Sequence, residues 1–159
     1  MSNTYDTSWL DAVCDVWGTI SGKEFGQVKT YHLLNKNEFP EKVTEVPCAI
    51  TYPPSLDNPT YGKGTPAILY WNGLTVIHLS LDLSKLHLPM MFPYMIRIIE
   101  AVTGNPTLGG KVELFKLVEA PNAIAPMEKL LHGSEAPHYG VAVMWTVKQN
   151  VSGQFTIGS

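Results

Sequence analysis

Apolar and polar residues alternate in the middle of the chain in the way that is typical of paired β-strands. Residues 67–71 read A-I-L-Y-W, and residues 74–83 read L-T-V-I-H-L-S-L-D-L. In the second run, Ile77, Leu79, Leu81 and Leu83 share one face, which is therefore predicted to be buried. The other face is predicted to meet water or a partner. Asn72 and Gly73 separate the runs, and this dipeptide favours a two-residue hairpin turn because both residues tolerate positive φ.

Two further segments have the spacing of amphipathic helices, residues 8–20 and residues 91–103. The first places several apolar residues on one side: Trp9, Leu10, Val13, Trp17 and Ile20. The second is predicted to do the same with Phe92, Met95, Ile96, Ile99 and Val102. Pro93 is tolerated only in the first turn of a helix, so the second helix is predicted to begin near Met91.

The stretch G-N-P-T-L-G-G-K-V-E, residues 104–113, combines several signals for ending a helix and redirecting the backbone. Gly104 is predicted to be a left-handed helix stop, and Pro106 prevents the helix from continuing. Gly109 and Gly110 then form a tight turn ahead of a strand at residues 111–117. None of these residues is a plausible catalyst, so we interpret the stretch as a device that aims the backbone.

The last third of the chain is predicted to contain a strand at residues 140–148 and a long loop before it at residues 119–138. The loop is polar and interrupted by proline, and loops of this length are usually functional or mobile. We therefore treat it as a candidate interaction loop, with residues that include Pro121, Asn122, Ile124, Met127, Leu130 and His132. Residues 149–159 are predicted to be a short edge strand or a flexible C-terminal tail.

These elements predict a single domain, residues 1–159, of the α+β class. Hairpin connections imply antiparallel pairing, and two amphipathic helices cover such a sheet most economically from one face. No internal repeat or linker divides the sequence. The expected architecture is an antiparallel sheet with both helices packed on the same side.

Composition narrows the classes of partner. The 159 residues carry a net charge of −3 and no basic run, which argues against sequence-specific nucleic-acid binding. No apolar run is long enough to cross a membrane. Charged residues make up only 16%, against about 25% in typical soluble domains. Either the domain is simply well packed, or other subunits cover part of its surface.

No arrangement of residues nominates catalytic chemistry. The sequence lacks the glycine-rich phosphate-binding motifs, the serine-hydrolase elbow and the zinc-protease motif. Cys14 and Cys48 are too few and too far apart for a disulfide framework or a zinc cluster, and buried free thiols are the default interpretation. The five histidines have no ligand-type spacing. We expect no catalytic residue, no cofactor and no bound metal.

One likeness to a known family rests on the segment N-P-T-L-G-G-K-V, which lies between an apolar helix and a strand. Upstream, a proline-flanked segment reads F-P-E-K-V-T-E-V-P-C-A-I-T-Y-P, and a later strand runs into L-H-L-P-M-M-F-P-Y-M. Downstream, Tyr139 and Gly140 open the last long strand. In this order, over about residues 8–148, the chain resembles the tail terminator and tail-completion proteins of long-tailed bacteriophages.

The resemblance implies a tail-terminator-like fold and a structural role in the virion. Such a protein, assembled in the host cytoplasm, forms a ring, usually of six copies, at the head-proximal end of the tail. Its partners would be further copies of itself, the tail tube protein whose polymerisation it ends, and a connector or stopper protein of the head neck. Three alternatives stay open: another neck or tail adaptor of the same fold, a small α+β ligand-binding domain or enzyme, and a protein-interaction module outside phages.

Overall fold

The computed structural model describes residues 8–22, 26–27, 29–32, 47–57, 68–80, 88–130 and 138–150. Two helices lie within these ranges, α1 (Ser8–Gly18) and α2 (Leu88–Thr103). The strands within them are β1 (Ser21–Gly22), β2 (Gly26–Gln27), β3 (Lys29–His32), β4 (Cys48–Thr51), β5 (Ser55–Leu56), β6 (Ile68–Ser80), β7 (Leu114–Leu117), β8 (Ile124–Leu130) and β9 (His138–Asn150).

Seven of these strands form one sheet in the order β3-β4-β6-β9-β7, with β5 beside β6 and β8 beside β9. Neighbouring strands run antiparallel except β3 and β4, which are parallel. β1 and β2 form a separate antiparallel ribbon. Both helices share a single apolar cluster with one face of the large sheet. The predicted α+β class, with two helices on a mainly antiparallel sheet, is confirmed.

The two central strands, β6 and β9, are each 13 residues long, more than twice the usual length of a strand. They pair with each other from Ile68 opposite Asn150 to Ser80 opposite Tyr139, with one irregularity after His78. Every other strand of the large sheet except β3 pairs with one of them. The pair is therefore the frame on which the sheet is built.

The predicted turn at Asn72 and Gly73 is wrong, because β6 runs through both residues without interruption. Gly73 lies opposite Trp145, and a Cβ atom built on Gly73 would overlap the Trp145 indole ring. The glycine is needed because an aromatic ring lies over its backbone, not because the chain reverses there. The indole Nε1 is fixed in turn by donating a hydrogen bond to Thr75 Oγ1, at 3.0 Å.

A chain of aromatic rings joins α1 to the helix-facing side of the sheet. Trp17 packs edge-on against Phe115 with ring centroids 6.0 Å apart, and Phe115 packs against Trp145 at 5.9 Å. Trp9 lies 6.3 Å from Trp145 and 5.6 Å from Trp71. Such tilted and edge-to-face pairs add directional attraction to the burial of apolar area, so they hold α1 at a defined position on the sheet.

Helix α2 begins at Leu88, so the predicted start near Met91 is wrong and Pro93 lies inside the helix. The side that packs on the core is formed by Tyr94, Ile98 and Val102, which are 0–1% exposed. The predicted stripe is wrong for three of its members, because Phe92, Ile96 and Ile99 point outward. The helix is apolar on two sides, and periodicity alone does not tell which side faces a sheet.

The end of α2 is built differently from the prediction. Gly104 does not have positive φ, so it is not a left-handed stop. Asn105 ends the helix instead, since its side-chain Nδ2 donates to the Ala101 carbonyl at 2.8 Å and its backbone N–H donates to the Val102 carbonyl at 3.2 Å. These bonds satisfy carbonyl groups that the last turn of a helix leaves without partners.

Three consecutive residues after the helix adopt the left-handed region: Leu108 at φ 51°, Gly109 at 71° and Gly110 at 87°. The two glycines were predicted to form this turn, but Leu108 was not. Its side chain is 4% exposed and belongs to the core, so burial of about 1.5–3 kcal/mol offsets a left-handed cost of about 1–2 kcal/mol. The Pro106 carbonyl then accepts the Phe115 N–H at 2.7 Å and sets the start of β7.

The predicted long loop at residues 119–138 is wrong for most of its described part, because residues 124–130 form β8 on the edge of β9. Only residues 119–122 leave the sheet edge between β7 and β8. The Val118 N–H donates to the Met144 carbonyl, and the Met144 N–H donates to the Ala123 carbonyl, so both ends of this bulge meet at one residue. Pro126 is tolerated because β8 is paired on one side with β9 among the described residues.

The predicted C-terminal tail begins later than expected, since β9 includes residues 149 and 150. Gln149 takes part in the fold, because its side-chain oxygen accepts a hydrogen bond from Trp71 Nε1 at 3.0 Å. Residues 151–159 lie outside the described ranges. The strand prediction at 140–148 is confirmed within the longer β9.

The overlap between Gly73 and the Trp145 ring predicts a strong context effect. Gly73→Ala is expected to destabilise the protein by about 1–3 kcal/mol, because the ring or the strand must shift. In a Trp145→Leu background the same substitution should cost much less, since the ring is gone. Urea unfolding of the four proteins measures this coupling. Equal costs in the two backgrounds would contradict the assigned contact.

The left-handed turn predicts a purely conformational cost at Gly109. Nothing lies within 4 Å of a Cβ atom built there, so Gly109→Ala is expected to lose about 1 kcal/mol through backbone strain alone. Gly109→Asn should lose less, because asparagine tolerates this region better than alanine. Thermal unfolding of both variants tests the order, and an alanine variant as stable as the parent would refute the assigned conformation.

Candidate interaction surfaces

The residues predicted to form an interaction loop do not come together as one loop. Pro121 and Asn122 lie in the exposed bulge, where Asn122 has a φ of 65°. Ile124 is half-buried and packs against the core, and Met127 and Leu130 belong to β8. His132 lies outside the described residues. What remains of the predicted loop is a four-residue bulge, whose base is tied by an ion pair between Lys116 and Glu119 at 2.9 Å.

The described side chains form no obvious chemical centre. Within the part of the chain that the structure describes, no three His, Cys, Asp or Glu residues gather in a way that could hold a metal ion. Over the same residues, no helix has both the length and the apolar character needed to span a membrane.

The two thiols belong to the interior. Cys14 and Cys48 are free and buried, and each is 2% exposed. Burial raises the pKa of the Cys14 thiol to about 12, although a hydrogen bond with Thr51 acts in the opposite direction. A thiol held in its neutral form is a poor nucleophile, so Cys14 acts as a small core residue at neutral pH.

The first unusual surface is the outward side of α2. Phe92, Ile96 and Ile99 follow one another at helical spacing and are 54%, 58% and 45% exposed. We call these three residues the helix patch. Together they present roughly 300 Å² of apolar surface, a size that often marks a binding site on a soluble domain. The patch is a ridge, because the side chains stand along one line of the helix.

The second unusual surface lies on the side of the sheet that faces away from both helices. Strand register places Leu74 opposite Met144, and it places Lys148 between Tyr70 and Leu114 on the same face. The apolar members of this surface are 36–52% exposed. We call them the sheet patch: Ile68, Tyr70, Leu74, Leu114 and Met144.

The sheet patch occupies only part of its face. Further along β6 and on β4, the same face carries Val76, His78 and Ile50, which are 7%, 0% and 0% exposed. Tyr52, next to Leu74 in the register, is intermediate, and burial raises the pKa of its phenol. This face is therefore buried around Val76 and His78 and exposed at the sheet patch.

The two patches point in opposite directions. The core side of α2 packs on one face of the sheet, so the helix patch faces outward from that layer. The sheet patch lies on the opposite face. The described part of the fold thus presents a ridge on one side and a flatter apolar surface on the other.

The sequence contained a signal for each patch, but not its position. Low charge allowed either a well-packed lone domain or a covered surface. Helix α2 reads as apolar around much of its circumference, which is unusual for a helix with one side in water. Alternation in β6 predicted a second face that meets water or a partner. Exposure of individual side chains was needed to locate the patches.

Comparisons with known proteins assign no identity to these surfaces. Neither a protein-family model nor a curated protein sequence matches the chain. The interpretation of the patches therefore rests on their geometry and on the sequence resemblance.

The raised pKa of Cys14 predicts a loss of stability at alkaline pH. The thiol ionises near pH 9 when exposed and near pH 12 in the fold, so its contribution is complete below pH 9 and is lost between pH 9 and 12. Between pH 8 and pH 10 the parent should lose about 1 kcal/mol more than Cys14→Ala, in which Cys48 and the other titrating groups remain. Urea unfolding at both pH values measures the difference, and equal losses would contradict the prediction.

Proposed function

We propose that this protein is a structural virion protein of the tail-terminator type. Copies of the chain form a ring, of six subunits by the resemblance, at the head-proximal end of a phage tail tube. The ring ends polymerisation of the tube protein and offers its other side to the connector or stopper protein of the head neck. The role is architectural, and the protein takes part in no reaction.

The observation that carries this proposal is the pair of unlike apolar patches on opposite sides of one domain. A two-fold dimer uses the same surface on both partners, whereas a ring uses two different surfaces, one for each neighbour. A ridge on α2 and a flat region of the sheet satisfy that requirement. Each copy would give its ridge to one neighbour and its sheet to the next.

The size of the patches is consistent with a specific contact. The exposed apolar parts of the helix patch and the sheet patch form the centre of an interface, and polar residues around them supply the rim. Specific interfaces bury about 1,200–2,000 Å² in total, and only the central part of that area is strongly apolar. Association would also explain why only 16% of the residues are charged.

The segment that carries the sequence resemblance has a role in this arrangement. It joins α2 to β7, and its hydrogen bonds to both elements define the angle between them. A rigid connection keeps the helix patch in one orientation relative to the sheet patch. A ring needs this, because the angle between the two contact surfaces of a subunit decides whether the assembly closes.

The two axial sides of such a ring would meet the tube and the neck. The bulge at residues 119–122 projects from a sheet edge and lies outside both patches. Pro121, Asn122 and their neighbours are therefore candidates for contact with one of these partners, in place of the longer loop predicted from the sequence. A small ligand-binding domain or enzyme would not require either patch to be apolar.

Mutation of the helix patch tests self-association. Ile96→Asp is expected to abolish ring formation, because the contact would bury an unpaired carboxylate. Stability should change little, since Ile96 is 58% exposed. Ile96→Leu, which keeps the apolar volume, should still form rings. Light scattering and negative-stain microscopy of the purified proteins provide the readout, and rings formed by the aspartate variant would contradict the assigned contact.

Deletion of the gene from the phage genome that carries it distinguishes the proposed terminator role from that of a neck adaptor. Loss of a terminator should give tails of abnormal length, because nothing ends tube growth. Loss of a neck adaptor should give tails of normal length without heads. Electron microscopy of the lysates distinguishes these outcomes, and normal infectious particles would refute a role in assembly.

A further inference from the structure

Glu100 places a negative charge at the edge of the helix patch. It follows Ile99 directly and lies one helical turn beyond Ile96, so it shares the outward side of α2 with them. The residue is exposed, and within the described part of the chain it makes no ion pair. The nearby hydroxyl of Thr103 is already used, because it donates to the Ile99 carbonyl at 2.8 Å. Glu100 is therefore the charged group that this end of the ridge can offer to a partner.

Arg97 and Glu100 both line a cavity at the end of α1, but they do not pair. The Arg97 guanidinium carbon lies 5.4 Å from the centre of the Tyr94 ring. Tyr94 is buried in the core, so the stacking holds the guanidinium toward the inner side of α2, next to Thr19 and Ile20. The Glu100 carboxylate thus points away from the group that could otherwise have paired with it, and a cation outside the subunit can reach it.

The sheet patch contains a cation of the opposite kind, Lys148. Strand register places it between Tyr70 on β6 and Leu114 on β7, on the face away from both helices, and the residue is half-buried. Lys116 on the same face is paired with Glu119, whereas Lys148 makes no ion pair among the described residues. An ammonium flanked by apolar side chains gains from a carboxylate that reaches it, because a charge-assisted hydrogen bond is strong in such surroundings.

The dimensions of the two patches fit each other. From Phe92 to Glu100, α2 rises about 12 Å along its axis. From Met144 to Lys148, β9 advances about 13 Å. If α2 of one copy lies along β9 of the next with Phe92 over the pair of Leu74 and Met144, Glu100 therefore comes to Lys148.

Charge distinguishes this direction from the reverse. With the helix turned end for end, Glu100 would lie over Leu74 and Met144, where register places no described residue with a positive charge. Covering a carboxylate with apolar groups and giving it no partner is costly. In both directions Ile96 lies midway, over the opposed pair of Asn72 and Thr146. The apolar ridge therefore tolerates either direction, and the charged end of the ridge favours one.

We propose that Glu100 of one copy binds the ammonium of Lys148 in the next copy, and that this ion pair fixes the direction in which the helix patch lies on the sheet patch. The inference rests on the proposed self-association and identifies the polar partners that orient it. The apolar patches supply the attraction, and the ion pair selects one of the two ways in which the ridge can lie along the strands.

A charge exchange tests the pairing with purified full-length protein. Glu100→Lys and Lys148→Glu should each weaken association about 10-fold or more, because each places two like charges in contact. The double variant Glu100→Lys/Lys148→Glu should recover most of the affinity. A matched control is Glu100→Lys/Lys111→Glu, which has the same net charge but changes an exposed lysine that bonds Ser8 on the helix side of the sheet. Sedimentation velocity over a range of concentrations measures all five proteins, including the parent.

Engineered cysteines test the direction. Glu100→Cys mixed with Lys148→Cys and oxidised with diamide should give a disulfide between copies, seen as a dimer on a denaturing gel. Glu100→Cys mixed with Met144→Cys should not, because positions 144 and 148 are about 13 Å apart and a disulfide needs Cβ atoms within about 4.5 Å. Cys14 and Cys48 are buried and do not compete. A disulfide with the Met144 variant, or with neither, would refute the proposed direction.

The outcomes separate the ion pair from the proposed function. Recovery in the first double variant, and not in the control, supports the pairing. If neither single charge variant weakens association while Ile96→Asp abolishes it, self-association stands and the pairing is refuted. If both double variants recover equally, net charge and not a specific contact is responsible, and the pairing is again refuted. A parent that stays monomeric at every concentration would overturn the self-association itself.

Discussion

The contact between Gly73 and the Trp145 indole is the constraint on which the rest of the structure depends. The two longest described strands pair with glycine on one and tryptophan on the other, so the Trp145 ring lies over the Gly73 backbone. From this position the ring contacts Trp9 of α1 and Phe115 of β7. The placement of α1 and the edge strand therefore follows from one small residue, because any side chain at position 73 would displace the ring that both of them touch.

The position of α2 follows from the same core. Tyr94, Ile98 and Val102 fill the remaining space beside β7 and β9, and a helix can turn only one side toward a sheet. An apolar residue on the opposite side then gains nothing from folding. Three such residues along one line of the helix lower the solubility of a lone subunit, and for this reason we propose that they make a contact after folding. The same argument applies to the exposed apolar residues of the sheet patch, which form a flatter surface on the other side of the sheet.

Much of the architecture was predictable from the sequence, and the failures have physical causes. Strong periodicity gave α1, β9 and the α+β class. Asn72 and Gly73 misled because an Asn-Gly pair carries the same local signal in a turn and in a strand, and only Trp145, more than 70 residues away, decides between them. Strand β8 was missed because its proline is acceptable only on an edge, and edges are known only when the sheet is assembled. For the interaction surfaces, the low charge allowed either a well-packed lone domain or a covered surface, and the outward side of α2 could not be told from its inward side.

The left-handed turn after α2 connects the stability of the core with the geometry of the proposed assembly. Leu108 accepts an unfavourable backbone conformation because its side chain is buried, and Gly109 and Gly110 continue the reversal at little cost. The strain and the burial lie in the same few residues, so the segment cannot relax without losing core contacts. The consequence is a stiff joint between the helix that carries one patch and the sheet that carries the other. In the proposed ring this stiffness would hold the two surfaces at a fixed angle, and a preorganised subunit loses less conformational entropy when it binds. A closed ring is an assembly in which that angle decides the outcome at every contact.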